Sequence, residues 1–238
     1  MKRVLWLSNS EDVSPDVPEE KRSWRLAAGM VQTVTGEEIE VVPRVIWPDP
    51  KLPEIIDGWM ARYEPDLVLF KVNAYWYLYR SVPLRIRRRF KRLGAPIAAG
   101  GERVGRIPWL TKTRAFHWTR AALLRTIGGD TQFPPGHVVA LTEECVKRIL
   151  RDEGRRVIVN TTLDHWTSNP APQAEVHRRL KAFCESVHCG YLGADIENDP
   201  PPPDLYSSGD RLHTDEAGHR WQSEKLAAAM ILEFQRGA

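Results

Sequence analysis

Cysteine is scarce in this chain of 238 residues: there are three, Cys145, Cys184 and Cys189, and no Cys-x-x-Cys pair among them. That excludes a disulfide framework or a zinc ribbon as the scaffold and agrees with a reducing compartment. Cys145 and Cys184 fall in helix-like stretches and read as buried, inert thiols. Long apolar runs are absent too, and none approaches the roughly 20 residues that span a bilayer. Only Val4 to Leu7 is apolar ahead of the polar run from Ser8, too little for a signal peptide, so the expected location is cytoplasmic with no transmembrane segment. The formal net charge is only +3, which does not point to a nucleic-acid partner. No Gly-rich loop follows the first apolar run, which excludes a phosphate-cradling nucleotide site there.

What is present is an ordinary globular composition, 42% hydrophobic and 27% charged, at a length that suits one α/β domain over 1–238. Five short apolar stretches read as strands: Val4 to Leu7, Ile39 to Val42, Leu67 to Phe70, Val157 to Val159 and, more weakly, Gly190 to Leu192. They are continuous rather than alternating, which indicates strands buried on both faces of a parallel sheet. Between them the three- and four-residue spacing of apolar positions predicts helices over 19–34, 52–63, 142–152, 174–187 and 215–234, the last with Thr214 as its N-cap. This order implies right-handed crossovers and a three-layer α/β/α, flavodoxin-like, five-stranded parallel sheet. The segment 77–132 is far longer than a crossover needs and reads as an insertion near the active face. Pro200 to Pro203 forms a stiff connector near the end.

Ligands of such sheets bind beyond the carboxyl ends of the strands. The loops there carry Ser8-Asn9-Ser10, Asn73, Asn160 to Trp166, and the late motif Asp210-Arg211-Leu212-His213. An Asp three residues before a His can accept its ring N–H, fix the tautomer and leave the other nitrogen as a base. With a serine hydroxyl and an amide donor, these are the parts of an acyl-transfer site. Ser8 competes with Ser10 for the nucleophile's place but lies nearer the strand. His165 and His219 read as structural or exposed, and Asp210, His213 and His219 lack a further well-spaced ligand for zinc, so neither metal nor cofactor is expected.

In these blocks the chain resembles the SGNH, or GDSL-type, hydrolases. VLWLSNS aligns with the first block so that Ser10 falls on the nucleophile. PDLVLFKVNAYW places Asn73 on the oxyanion Asn, and Asp210 and His213 meet the Asp-x-x-His block. The resemblance implies an α/β/α fold and a metal-independent Ser-His-Asp mechanism on a small-molecule ester. It also implies an oxyanion hole built from Asn73 and the Ser10 backbone N–H. The chain departs from the pattern where Ser8 and Asn9 replace Gly-Asp, where Lys71 and Ala74 flank Asn73, and where the second-block Gly is missing. Arg44 or Val45 is the candidate replacement for that last donor. A second reading is an acyltransferase with the same machinery, and a third is a non-catalytic binding protein of this fold.

Nine tryptophans are present, and Trp47, Trp76 and Trp166 each follow a different strand, which suggests an aromatic-walled substrate pocket. The basic stretch Arg85 to Arg92 carries Val82, Ile86, Phe90 and Leu93 on one helical face. It reads as a solvated cationic helix, as a capture site for an anionic substrate or acyl carrier, or as a face docking on an acidic membrane.

Overall fold

The structure, a computed structural model, describes residues 1–9, 12, 17–90, 96, 99–101, 103, 113–161, 171–193 and 214–236. The first apolar run forms β1 (Lys2–Ser8). A 3-10 turn at Glu19–Lys21 leads into α1 (Ser23–Thr35), which ends where Gly36 adopts a left-handed φ of 71°. β2 (Ile39–Val45), α2 (Leu52–Tyr63) and β3 (Leu67–Val72) follow. Next come α3 (Tyr75–Leu78), β4 (Arg80–Ser81), α4 (Val82–Arg89), α5 (Arg114–Thr126) and β5 (Asp130–Thr131). The described chain closes with α6 (Pro135–Ile149), β6 (Arg156–Thr161), α7 (Ala171–Ser186), β7 (Gly190–Leu192) and α8 (Glu216–Gln235).

The five long strands form one parallel sheet in the order β2-β1-β3-β6-β7. Every residue of β3, the central strand, is buried, which explains its unbroken apolar reading. One face of the sheet packs Val4, Trp6, Leu67, Leu69 and Ile158 against Trp24, Ala27 and Val31 of α1 and Leu226, Ala227 and Met230 of α8. On the other, α2, α6 and α7 supply Ile56, Met60, Val139, Cys145, Val146, Val176, Leu180 and Cys184 to the core. Arg148 of α6 reaches Asp57 and Glu54 of α2 at 2.6 and 3.3 Å and so ties those two helices together. No helix among the described residues is long and apolar enough to cross a membrane.

The chain divides into two compact units, Met1–Ala74 with Pro135–Ala238, and Tyr75–Pro134. The smaller one encloses the stretch 77–132. It contains the short antiparallel ladder β4–β5, and the Ser81 hydroxyl caps α4 by accepting from the Leu84 N–H at 3.2 Å.

Local differences from the sequence reading have simple causes. The helix expected over 19–34 breaks at Arg22, whose backbone is extended. The helix expected over 142–152 opens at Pro135 and ends at Ile149; proline is tolerated in a first turn, where its missing N–H has no intrahelical partner to lose. Asp215, not Thr214, caps α8, its carboxylate accepting from the Gly218 N–H at 2.9 Å, while Thr214 is buried.

Candidate active site

The sheet changes direction at β1: the chain passes from β1 to β2 on one side and returns to β3 on the other. The carboxyl ends of β1 and β3 therefore lie side by side at the switch point where doubly wound sheets bind ligands. Asn9 follows β1 and Asn73 follows β3, so the structure brings the first and third motif blocks to adjacent strand ends. Ser8 is the last residue of β1; it is fully buried, and its hydroxyl donates to the Asn9 carbonyl at 3.4 Å. Ser10, Asp210, His213, His165 and Trp166 lie outside the described residues.

Beneath those strand ends is a buried polar cluster. β3 turns Leu67, Leu69 and Lys71 to one face, so the apolar face shared with α1 and α8 ends in an ammonium that is only 1% exposed. Its partner is Asp12, also sealed from solvent, at 3.0 Å. Asp12 further accepts the Trp6 indole N–H at 3.1 Å and the Ser23 hydroxyl at 3.3 Å. Burial alone would raise the Asp12 carboxyl; the Lys71 ammonium and the hydrogen bonds from Trp6 and Lys71 override it and hold the group below its usual range.

His219 of α8 completes the cluster. It is fully buried, as the structural reading of this residue requires, and its Nδ1 accepts the Ser23 backbone N–H at 3.1 Å. Accepting at Nδ1 puts the ring proton on Nε2, which meets no acceptor among the described residues. Burial pushes the imidazole down to about 4, the Asp12 carboxylate pulling weakly the other way. The ring is therefore neutral at pH 7. Together with the Lys21–Glu216 pair at 2.8 Å, this contact fastens the first turns of α8 to the segment that follows β1. The fastening joins sequence positions nearly two hundred residues apart.

Such a histidine makes the fold acid-labile. An unfolded chain takes up a proton near pH 6.5, whereas the folded ring resists until about 4, so stability falls as pH drops through that window. The full effect is about 3 kcal/mol. His177, also pushed down to about 4 by burial, adds to the same slope. In His219→Asn the amide oxygen can take the place of Nδ1, and the loss of urea midpoint between pH 7 and 4.5 is expected to shrink by about half. An unchanged loss would mean that His219 is not buried neutral.

The remaining candidates lie on several elements. Trp47, beyond β2, is 44% exposed, and Trp76 is buried within α3 in the smaller unit. Arg44 and Val45 are the last residues of edge strand β2, paired in register with Leu7 and Ser8. The next amide, Ile46 N–H, donates to the Ser8 carbonyl at 2.7 Å. The Arg44 guanidinium stacks over the Tyr63 ring at 4.7 Å and hydrogen-bonds its hydroxyl. In the basic stretch, Arg85 and Arg88 pair with Asp130 at 3.2 and 3.5 Å. No group of His, Cys, Asp and Glu that could hold a metal occurs among the described residues.

No protein-family profile matches the chain, and no curated protein is significantly similar to it in sequence. Solved structures are similar over nearly the whole length. The psychrotrophic esterase EstA from Pseudoalteromonas sp., inhibited by monoethylphosphonate, aligns with a TM-score of 0.58 at 11% identity, covering 99% of this chain and 100% of that one. An acetyl xylan esterase, AlAXEase, aligns with a TM-score of 0.54 at 12% identity over 96% and 100%. A lipolytic protein of the G-D-S-L family from Desulfitobacterium hafniense DCB-2 gives 0.50 at 12% over 96% and 99%. The fold is thus that of the SGNH, or GDSL-type, esterases and lipases.

Proposed function

We propose that this protein is a serine hydrolase of SGNH type that cleaves a carboxylic ester. In this reading the Ser10 hydroxyl attacks the ester carbonyl and His213 takes its proton. Asp210 orients the imidazole through its other ring nitrogen. The tetrahedral oxyanion is held by Asn73 and the Ser10 backbone N–H. Collapse expels the alcohol, protonated by His213, and leaves an acyl-enzyme that water hydrolyses by the same steps in reverse order. Trp47, Trp76 and Trp166 are the aromatic candidates for the walls of the substrate pocket. The reading requires no cofactor.

The observation that carries the proposal is the tie between Ser23 and His219. A triad needs the loop after β1 and the segment before α8 to meet. Asp12 stands two residues after Ser10, and α8 begins three residues after His213. Both flanks belong to one buried cluster, and Asn73 leaves the neighbouring strand end. Ser8 is disfavoured as nucleophile by its burial in β1.

Labelling with a fluorophosphonate probe tests it. Wild-type protein is expected to label, and Ser10→Ala to lose the label. Retention in Ser10→Ala with loss in Ser8→Ala would move the nucleophile, and no labelling of wild type would favour a binding protein. Asn73→Ala is expected to lower kcat on short aryl esters about a hundredfold, the usual cost of one oxyanion donor, with KM little changed. An acyltransferase would label equally but release less free acid once an alcohol or amine acceptor is added.

A further inference from the structure

Charge is distributed very unevenly between the two units. Residues 75–134 contain thirteen Lys and Arg against two acidic residues, Glu102 and Asp130, a net +11; the rest of the chain has 21 against 29, a net −8. The overall +3 hides this polarity. Asp130 is already taken by Arg85 and Arg88. Arg89, Arg114 and Arg125 are exposed and have no acidic partner among the described residues.

The same unit exposes apolar side chains beside those cations. None of the residues of α5 is buried, and Trp118 is 75% exposed. On a 3.6-residue helix Arg114, Trp118, Ala122 and Arg125 follow one another along a single stripe. Every one of the four is exposed, whereas Phe116, Arg120, Leu124 and Ile127 are partly covered on the opposite side. α4 packs against α5 and ends in Arg87, Arg88 and Arg89, with Phe90 as the residue after it; all four are exposed, Phe90 at 52%.

We infer that this unit docks on an anionic lipid bilayer, with Trp118 and Phe90 entering the headgroup layer and the arginines binding lipid phosphates. Charge complementarity alone would suit any polyanion. The bilayer is singled out because tryptophan flanked by arginine on an open helical stripe matches an interface that is apolar on one side and phosphate-rich on the other. A duplex nucleic acid would use the arginines and leave the indole in water. The inference does not depend on the esterase reading.

The test is co-sedimentation of the full chain with extruded vesicles of pure phosphatidylcholine, or of phosphatidylcholine with about 30% phosphatidylglycerol. Binding to the anionic vesicles is expected to be about tenfold stronger or more, and to collapse when salt is raised from about 50 to 500 mM. Brominated acyl chains are expected to quench part of the tryptophan emission, and Trp118→Ala to lose that part. Arg114→Gln with Arg125→Gln is expected to weaken binding several-fold. All these positions are exposed, so circular dichroism should be unchanged. Equal binding to both vesicle types, undiminished binding by Trp118→Ala, or capture by an oligonucleotide or heparin without vesicle binding would each overturn the proposal.

Discussion

Ser10→Ala is expected to lower kcat on an aryl ester by about 10⁴- to 10⁶-fold, and His213→Ala by a similar factor. The magnitude follows from what each group does. Without the hydroxyl no acyl-enzyme forms, and water must attack directly; without the imidazole the hydroxyl keeps its proton at neutral pH. The two losses are not independent, because each group is idle without the other. Ser10→Ala with His213→Ala should therefore be no slower than either alone, within about threefold. Multiplying losses would indicate two separate roles and would break the triad. Asp210→Asn is expected to be impaired as well, with the imidazole present in the wrong tautomer. Stopped assays over pH 5–9 on purified variants, with fluorophosphonate labelling as a check on active-enzyme concentration, settle all four. Rates in Ser10→Ala equal to wild type would leave only the fold-level likeness standing.

Most of the sheet was legible in the sequence because burial on both faces leaves a strong mark. LVLF and VIV have no polar residue to alternate with, and each became a central strand. The edge was harder. The apolar stretch ends at Val42, before Pro43 and Arg44, but β2, as an edge strand, needs hydrogen bonds on one side only and carries them to Val45. β4 and β5, at two residues each, have no periodicity to detect. Helix ends drifted where a proline or a competing cap decided them, at Pro135 and Asp215. The motif residues Ser10, Asp210 and His213 were legible as types and spacing, but they lie outside the described residues, so only their flanks are placed. Asp12 and Ser23 escape the sequence reading, and Lys71 enters it only as a departure beside Asn73. A usable signal was there: a lysine within an otherwise apolar central strand almost demands a buried carboxylate, and Asp12 stands four residues after β1.

That ion pair sets the largest expected effect on stability. Lys71→Met is expected to destabilise the protein by about 3–5 kcal/mol, a drop in Tm of about 10 °C for a chain of this size. Deleting the ammonium leaves the Asp12 carboxylate in a site sealed from water, still holding the Trp6 and Ser23 hydrogen bonds but with no countercharge. Asp12→Asn in the same chain removes the stranded charge and keeps an oxygen for the Trp6 indole N–H. Lys71→Met with Asp12→Asn should therefore be more stable than Lys71→Met alone, recovering about half of the loss. The pH dependence distinguishes this from simple loss of packing. Asp12 is held below its ordinary range in the folded state, so its contribution is present above pH 4 and disappears as pH falls further. In Lys71→Met the carboxyl has lost its countercharge and burial raises it instead. Acid then favours the neutral folded form, and the deficit relative to wild type should narrow toward pH 4. A deficit constant across pH 4–8, or a single variant as stable as the double, would show that Lys71 and Asp12 do not act as a pair.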